Sequence, residues 1–532
     1  MKSLARVAML VAATFPMVFS PVMQAQTNPT AACAALADIR LPSTTIDAAQ
    51  AITSGSFTPP GSTNAITDLP PFCRVTGVIK PTRESNIRFE VWLPLQNWTG
   101  RFTGVGNGGW AGKISFGALA EQIRRGCASA STNTGHEAVP GVDAARFAFE
   151  FPERLIDFAY RAHHETALQG KALVRAFYGK PPEHAYFVGC SSGGYEGLMA
   201  AQRFPEDYDG IVAGAPANNW TRLMAGDLDW TLAVLKDSAS NLPAPALGVL
   251  YRAVLAGCDS VDGVVDGLLE DPRRCKVDPA DLQCTANQRP ETCLTPAQVE
   301  SARRVYGGLK DPITGAQLFP GLSAGSEPFW PNRDAANPFS IPIAHYRWLV
   351  FADPNWDWRT FKFEDPAGYQ MFLKAESRFA PILNATDPNL RPFRQRGGKL
   401  LQYHGWNDQL IAPQNSIDYY ESVISLLVGD RKDRTAVLAE VRSFYRLFMA
   451  PGMAQCDGGT GPNSFDMQAH LEQWVEHGIA PEEIIATHSI NDVVDRWRPL
   501  CPYPKVAAYK GKGDTNDAAS FVCRDPNETG GR

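Results

Sequence analysis

One serine of the chain stands in a pattern that can make it a nucleophile. Residues 189–193 read Gly-Cys-Ser-Ser-Gly, which fits G-x-S-x-G with Ser191 at its centre. This pattern belongs to a sharp strand-to-helix turn, where the flanking glycines relieve crowding and the serine hydroxyl is exposed. Ser192 does not fit, because Cys190 and not a glycine lies two residues before it. Ser191 is therefore the candidate nucleophile, and an ordinary turn is the alternative.

A glycine-rich segment upstream, residues 104–109, follows a strand-like stretch. A nucleophilic serine needs N–H donors for the negative oxygen of its tetrahedral intermediate. The backbone N–H of Ser192, at the start of the following helix, is one candidate donor. The second candidate is the backbone N–H of Gly108 or Gly109. The alternative for this segment is a flexible turn.

Downstream, residues 403–408 read Tyr-His-Gly-Trp-Asn-Asp and follow another predicted strand. In α/β-hydrolases the serine precedes an acidic residue, and a histidine follows that residue in the chain. Asp408 is therefore the candidate carboxylate that orients the general base, and a solvated loop aspartate is the alternative. For His404, in the same loop, a structural hydrogen bond is the favoured interpretation.

The elements around these residues alternate between strands and helices, which is typical of a mostly parallel sheet covered by helices. Apolar patterns predict strands at 87–93, 185–189, 210–214, 399–403 and 443–449, and helices at 155–178 and 194–203.

The middle of the chain, residues 218–388, is instead rich in Trp, Pro, Asp and Gly. We interpret it as a large lid domain inserted into one sheet domain. Residues 26–217 and 389–532 then form the first and second parts of an α/β-hydrolase domain.

The amino terminus has the layout of a secretory signal peptide. Lys2 and Arg6 precede a short apolar run, and small and polar residues follow it. A membrane anchor is the alternative, but the run is shorter than the roughly 20 residues of a spanning helix. We predict that residues 1–25 are removed near Ala25 and that the mature protein is secreted or periplasmic, without a membrane partner.

Charge excludes one class of partner. The formal net charge is −6 at pH 7, and it becomes −8 after the loss of Lys2 and Arg6. An acidic chain without basic runs argues against binding to nucleic acid. The sequence leaves the oligomeric state open.

The eleven cysteines predict disulfides in an exported protein, and the odd number leaves one cysteine over. Spacing alone does not give their connectivity. No Cys-x-x-Cys pair occurs, which argues against a zinc ribbon or a thioredoxin-like redox site.

Four segments together resemble the family of tannases, feruloyl esterases and mono(hydroxyethyl) terephthalate hydrolases, over most of the mature chain. They are residues 189–194 (GCSSGG), 258–267 (CDSVDGVVDG), 403–408 (YHGWND) and 451–456 (PGMAQC). The resemblance implies an α/β-hydrolase fold with a lid and a serine carboxylic-ester hydrolase that acts on small aromatic esters. Whether galloyl, feruloyl or terephthaloyl esters fit is left open.

The resemblance also implies which cysteines pair. In this family the cysteine that precedes the serine is bonded to a cysteine that follows the catalytic histidine. The implied disulfides are Cys190–Cys456, Cys33–Cys73, Cys258–Cys275, Cys284–Cys293 and Cys501–Cys523, which leaves Cys127 free.

The chain departs from the family at the residue before Cys456, which is Gln455 and not histidine. A glutamine amide has no base that titrates near neutral pH, so Gln455 cannot take the proton of Ser191. Three explanations stay open: an engineered inactive variant, a natural pseudoenzyme that only binds esters, or a substitute base. The histidines considered as substitutes are His404, His470, His477 and His488.

The family likeness further implies a structural calcium ion in the lid. Its ligands would be the carboxylates of Asp259, Asp262 and Asp266 and the backbone oxygens of Val264 and Leu268. Carboxylate and carbonyl oxygens on a glycine-bent loop suit Ca²⁺. A solvated acidic loop is the alternative, and a calcium-stabilised interaction module is a third function that would not need Ser191.

Overall fold

The structure is a computed structural model that describes residues 28–331, 336–429 and 433–526. The predicted signal peptide, residues 1–25, lies outside the described residues. No helix in the described ranges combines the length and the apolar character that a membrane crossing requires.

The described residues contain one large sheet and three two-stranded sheets. Their strands are β1 (Thr44–Ile52), β2 (Phe72–Ile79), β3 (Ile87–Pro94), β4 (Arg101–Val105), β5 (Ala128–Thr132), β6 (His184–Cys190), β7 (Gly210–Gly214), β8 (Leu309–Lys310), β9 (Gln317–Phe319), β10 (Lys399–Gly405), β11 (Tyr445–Ala450), β12 (Ile484–Ile490), β13 (Val493–Leu500), β14 (Val506–Tyr509) and β15 (Phe521–Arg524).

The α-helices of the described residues connect and cover these strands. They are α1 (Pro29–Ala35), α2 (Phe116–Arg124), α3 (Pro152–Ile156), α4 (Ala162–Tyr178), α5 (Ser192–Arg203), α6 (Trp220–Val234), α7 (Ala244–Cys258), α8 (Pro296–Gly307), α9 (Ser340–His345), α10 (Pro366–Leu383), α11 (Arg391–Gln395), α12 (Gln414–Val428), α13 (Arg434–Arg442) and α14 (Met467–His477).

The large sheet has nine strands in the order β1-β2-β3-β5-β4-β6-β7-β10-β11. The pairs from β5 through β4, β6, β7 and β10 to β11 are parallel. At the other end, β1, β2, β3 and β5 pair antiparallel. The predicted parallel sheet covered by helices is therefore present, with an antiparallel extension that the sequence patterns did not indicate.

Both faces of the sheet are buried, which explains why its central strands read as continuous apolar runs. Phe187 on β6 and Ile211 on β7 belong to the main core cluster, together with side chains of α4 and α5. Their neighbours Tyr186 and Val212 point to the opposite face and join a cluster that includes Leu471 of α14. Strand alternation thus places helices on both sides of the strand that precedes Ser191.

The predicted helix over 155–178 is interrupted. Residues 157–161 form a π-helical turn between α3 and α4. The carboxylate of Asp157 is fully buried there and accepts hydrogen bonds from Arg161 Nε at 2.6 Å and Ser85 Oγ at 3.1 Å. Such single π-turns are a recognised irregularity of long helices, and periodicity alone does not reveal them.

The chain between β7 and β10 contributes helices and the short strands β8 and β9, and none of its described residues joins the large sheet. Its two ends are held close to the sheet domain. Ala385 N donates to Asn218 O at 2.8 Å, and Asn415 Nδ2 donates to Asn218 Oδ1 at 2.6 Å. This arrangement agrees in outline with an insertion, and the predicted lid boundaries at 218 and 388 stay a prediction.

Five disulfide bonds are present in the structure, and each joins a pair that the family resemblance implies. They are Cys33–Cys73, Cys190–Cys456, Cys258–Cys275, Cys284–Cys293 and Cys501–Cys523. Cys127 is free and buried. Burial, with a smaller contribution from Glu472, raises the pKa of the Cys127 thiol to about 11.

We expect the folded protein to resist alkylation by iodoacetamide at pH 8, because Cys127 is both inaccessible and protonated. After unfolding without reductant, one thiol per chain should react. Peptide mapping under these conditions should place the label on Cys127 and recover Cys190 joined to Cys456. A label on either of the last two cysteines would contradict the pairing.

Candidate active site

Ser191 occupies a strained turn between strand and helix. β6 ends at Cys190, α5 begins at Ser192, and Ser191 between them has φ 64° and ψ −121°. A residue with a side chain rarely adopts a positive φ, and such strain typically costs on the order of 1–3 kcal/mol. The backbone holds the turn in place, because Ser191 N donates to Gly214 O at 2.9 Å. Ser191 is partly exposed, as a nucleophile must be.

The glycines of the motif are required by close backbone approaches. A Cβ atom on Gly189 would lie 2.5 Å from the backbone carbon of Gly193, and one on Gly106 would lie 2.5 Å from the Cα of Gly193. A Cβ atom on Gly194 would collide with the carbonyl oxygen of Gly214. The first turn of α5 therefore packs directly against the backbone of neighbouring strands.

The glycine-rich segment after β4 lies beside Ser192. We call residues 106–109 the oxyanion loop. Ser192 Oγ donates a hydrogen bond to Gly109 O at 2.7 Å. In the described part of the chain, neither Gly108 N–H nor Ser192 N–H has a protein acceptor. Both predicted donors are thus free to bind a ligand oxygen.

The segment between β7 and β10 approaches the same loop. Trp110 Nε1 donates to Ile341 O of α9 at 3.2 Å. A Cβ atom on Gly109 would lie 3.9 Å from Ile341 Cδ1. The segment between β7 and β10 therefore contacts the end of the oxyanion loop through Ile341.

Gln455 contacts the candidate nucleophile directly. Its Nε2 donates a hydrogen bond to Ser191 Oγ at 3.0 Å, and its backbone N–H donates to Gln409 Oε1 at 3.3 Å. The adjacent Cys456 is bonded to Cys190. The loop after β11 is therefore tied to the nucleophile turn by one covalent bond and one hydrogen bond. Sequence reasoning did not anticipate the contact with Gln409.

Asp408 is fully buried and already has partners on both oxygens. Its Oδ1 accepts from the backbone N–H of Leu410 and Ile411 at 2.8 and 2.9 Å. Its Oδ2 accepts from His404 Nε2 at 3.0 Å. No hydrogen bond joins Asp408 to Gln455 in the described residues, so the structure links Ser191 with Gln455 but not Gln455 with Asp408.

None of the four alternative histidines bonds Ser191 in the described residues. His404 is fully buried, and its other ring nitrogen faces Ser416 Oγ at 2.7 Å. This bonding matches the structural interpretation of His404. His488 is paired with Asp495 on the β12–β13 hairpin at 2.7 Å, and His470 and His477 lie on α14.

The acidic loop, residues 258–270, follows α7 directly. Asp259 Oδ1 accepts from the backbone N–H of Asp266 and Gly267 at 3.2 and 3.1 Å. Asp262 Oδ1 accepts from Val264 N–H at 3.2 Å. The third carboxylate, that of Asp266, is paired with the buried guanidinium of Arg498.

The donor types of the acidic loop, carboxylate and backbone carbonyl oxygens, suit a hard cation. Among the described residues, no group of three or more His, Cys, Asp or Glu side chains is arranged to hold a metal ion. Glu270, at the end of the loop, is buried, and its Oε2 has no hydrogen-bond partner within the described ranges. Burial raises the pKa of Glu270 to about 7 and that of Asp262 to about 6.

Comparison with known proteins identifies the fold and the family. The family model described as tannase and feruloyl esterase matches residues 73–524. The chain belongs to this family.

An uncharacterized esterase of Xanthomonas campestris is 36% identical and covers 93% of this chain and 91% of its own length. A probable feruloyl esterase of Aspergillus flavus is 34% identical over 85% of this chain and 86% of its own. The crystal structure of feruloyl esterase B from Aspergillus oryzae superimposes with a TM-score of 0.85 at 30% identity, over 93% of this chain and 100% of that one. The chain is thus an esterase with the α/β-hydrolase fold.

We expect Gly194→Ala to lower the free energy of unfolding by about 1–3 kcal/mol, because its Cβ atom would meet backbone atoms that cannot rotate away. Urea denaturation followed by circular dichroism measures the change. Gly117→Ala is a matched control, since Gly117 also lies in the first turn of a helix and has open space around it. The control should be neutral or slightly stabilising. Equal effects of the two substitutions would contradict the close approach.

Proposed function

We propose that the chain is built to hydrolyse carboxylic esters of small aromatic acids, of the galloyl, feruloyl or terephthaloyl type, with Ser191 as the nucleophile. The observation that carries the proposal is the strained turn at Ser191, which lies beside two backbone N–H groups that have no acceptor among the described residues. These are the parts that acyl transfer needs for attack and for stabilisation of the oxyanion. The names of the relatives favour aromatic esters as substrates.

In this proposal Ser191 Oγ attacks the ester carbonyl carbon, and the N–H groups of Gly108 and Ser192 bind the developing oxyanion. The attack must also move the serine proton to a base. Gln455 Nε2 donates to Ser191 Oγ, so the hydrogen bond runs in the direction opposite to the one a general base would make. We propose that turnover is therefore impaired at the proton transfer and not at substrate binding.

A second function, ester binding without turnover, is favoured by the same hydrogen bond. Loss of one triad member typically costs 10³- to 10⁶-fold in kcat and leaves the contribution of the oxyanion hole and of binding. A chain with Ser191, its donors and no base would still bind the acyl group of an ester. The two functions can be distinguished by measuring kcat after a base is restored at position 455.

We expect Gln455→His to raise kcat for a chromogenic aryl ester by at least about 10²-fold, because a titrating base then faces Ser191. Steady-state assays of both proteins measure the change. Gln455→Asn is a matched control that keeps an amide and should not raise kcat. Ser191→Ala added to Gln455→His should abolish the gain. An unchanged kcat in a folded Gln455→His protein would remove position 455 from the proposed mechanism.

We also propose that the protein acts outside the cytoplasm, in the periplasm or after secretion. Five disulfides support this location, because they persist in oxidising compartments. The signal-peptide layout of the first 25 residues points the same way.

We further propose that Ca²⁺ binds the acidic loop and stabilises the lid. The carboxylates of Asp259, Asp262, Asp266 and Glu270 lie within twelve residues of each other in the sequence. Arg498 is paired with Asp266 and lies 3.8 Å from Glu270, whereas Asp259 and Asp262 have no ion pair in the described residues. Such crowding of negative charge favours a hard cation, to which the carbonyl oxygens of Val264 and Leu268 would add ligands.

Chelation with EDTA should therefore lower the melting temperature of the wild-type protein. A cation that binds only the folded state, at a hundredfold excess over its Kd, contributes about 2.7 kcal/mol. Added CaCl₂ should restore the melting temperature, and Asp262→Ala should respond little to either reagent. If EDTA leaves the wild-type melting point unmoved and native mass spectrometry finds no bound calcium, the loop is only a solvated acidic turn.

A further inference from the structure

A buried polar network lies directly behind the oxyanion loop. Glu196 stands on α5, one turn after Ser192, and is only 2% exposed. Its Oε2 accepts a hydrogen bond from the backbone N–H of Asn107 at 2.9 Å. The same oxygen lies 3.0 Å from Nε2 of His163 on α4. A carboxylate from the nucleophile helix therefore holds the loop that carries the second oxyanion donor.

The side chain of Asn107 completes this network. Its Nδ2 donates to Lys113 O at 2.8 Å and to Thr132 O at 3.1 Å, which turns its Oδ1 towards His163 Nε2 at 3.1 Å. His163 Nε2 faces two acceptors and therefore carries the proton. The backbone N–H and both side-chain polar atoms of Asn107 are thereby hydrogen-bonded.

Within the described residues, only one of the two carboxylate oxygens of Glu196 is hydrogen-bonded. Its Oε1 is buried and has no hydrogen-bond partner among the described residues. A buried carboxylate oxygen without a partner is costly, commonly by about 1–3 kcal/mol. The side chain therefore bonds the oxyanion loop and His163 through one oxygen while its other oxygen is left without a partner in the described residues.

We propose that Glu196 is a positioning residue for the oxyanion hole. By accepting from the N–H of Asn107, Glu196 fixes the Gly106–Asn107 peptide, which directly precedes the peptide that carries the N–H of Gly108, and so helps to direct that N–H at the reacting carbonyl. Ser192 fixes the far end of the loop through Gly109 O. Two residues of α5, Glu196 and Ser192, therefore hold the two ends of the oxyanion loop. The backbone N–H of Ser192 is also the other proposed donor to the oxyanion. The inference rests on the proposed function.

A neighbouring pair provides an internal comparison. His164, the residue after His163, bonds the carboxylate of Asp207 through Nδ1 at 2.7 Å, and Asp207 is 1% exposed. In this second pair the histidine is half-buried, and within the described residues neither side chain has a hydrogen bond to the oxyanion loop. Asp207→Asn therefore perturbs a similar pair without touching the loop.

The experiment measures kcat and KM for an aryl ester in the Gln455→His protein, with Glu196→Met, Glu196→Gln or Asp207→Asn added. Methionine keeps the volume but removes the acceptor, and we expect about a 10- to 100-fold loss of kcat with KM changed by less than about 3-fold. Glutamine keeps one acceptor oxygen and should retain at least about a third of kcat. Asp207→Asn should retain kcat even where it lowers the melting temperature as much as Glu196→Met does.

Hydrogen exchange gives a readout that does not need activity. Peptides that cover residues 106–110 should exchange faster in Glu196→Met than in Glu196→Gln or Asp207→Asn. If the wild-type and Gln455→His proteins both lack esterase activity, the proposed hydrolysis fails, and exchange alone then decides the role of Glu196. Unchanged exchange in Glu196→Met overturns the proposal, as does an equal loss of kcat in Asp207→Asn or an effect confined to KM.

Discussion

The close backbone contact at the start of α5 is the constraint on which the rest of the site depends. The backbone of Gly193 lies so close to Gly189 and Gly106 that a Cβ atom on either of them would be 2.5 Å from a backbone atom of Gly193. This contact forces Ser191 into its positive φ and places the N–H of Ser192 next to the oxyanion loop. It also puts Glu196 one turn further along the helix, within reach of Asn107. The proposed nucleophile, the N–H of Ser192 and the proposed positioning residue Glu196 therefore all lie at or near the start of α5.

The loops after β10 and β11 are assembled around the same point. Trp406 N donates to Ala450 O at 2.8 Å, and Asn407 N donates to Met453 O at 2.9 Å, so the two loops are bonded to each other. The disulfide from Cys456 to Cys190 then fixes the second loop to the nucleophile turn. Position 455 is consequently held near Ser191 by the backbone, whichever side chain it carries. Compared with a histidine at this position, Gln455 reverses the hydrogen bond. Its amide donates to Ser191 Oγ, whereas a neutral imidazole nitrogen would accept from it.

The sequence predicted the elements nearest the serine well, since their signals are local. The strand predicted at 210–214 has the same bounds as β7, and α5 begins only two residues before its predicted start. The edge strand β1 was missed because none of its residues is fully buried and it lacks an apolar alternation. Glu196 was missed for another reason. A charged residue in a predicted helix usually indicates a solvent-exposed position. Glu196 is buried only because the tertiary structure packs it against His163 and Asn107.

Two features of the site oppose the stability of the fold. Ser191 holds a strained backbone conformation, and Glu196 keeps a buried oxygen without a partner in the described residues. Each typically costs on the order of 1–3 kcal/mol, which is a large part of the 5–15 kcal/mol by which most domains are stable. Strain of this kind persists where it pre-organises a reaction, and it is evidence for function when observed directly. Binding an ester without hydrolysing it would require neither the strained backbone at Ser191 nor two N–H donors held in position. The strained turn at Ser191 and the two N–H groups beside it therefore support the proposed acyl transfer, and the hydrogen bond from Gln455 Nε2 to Ser191 Oγ marks the proton transfer as the step to test.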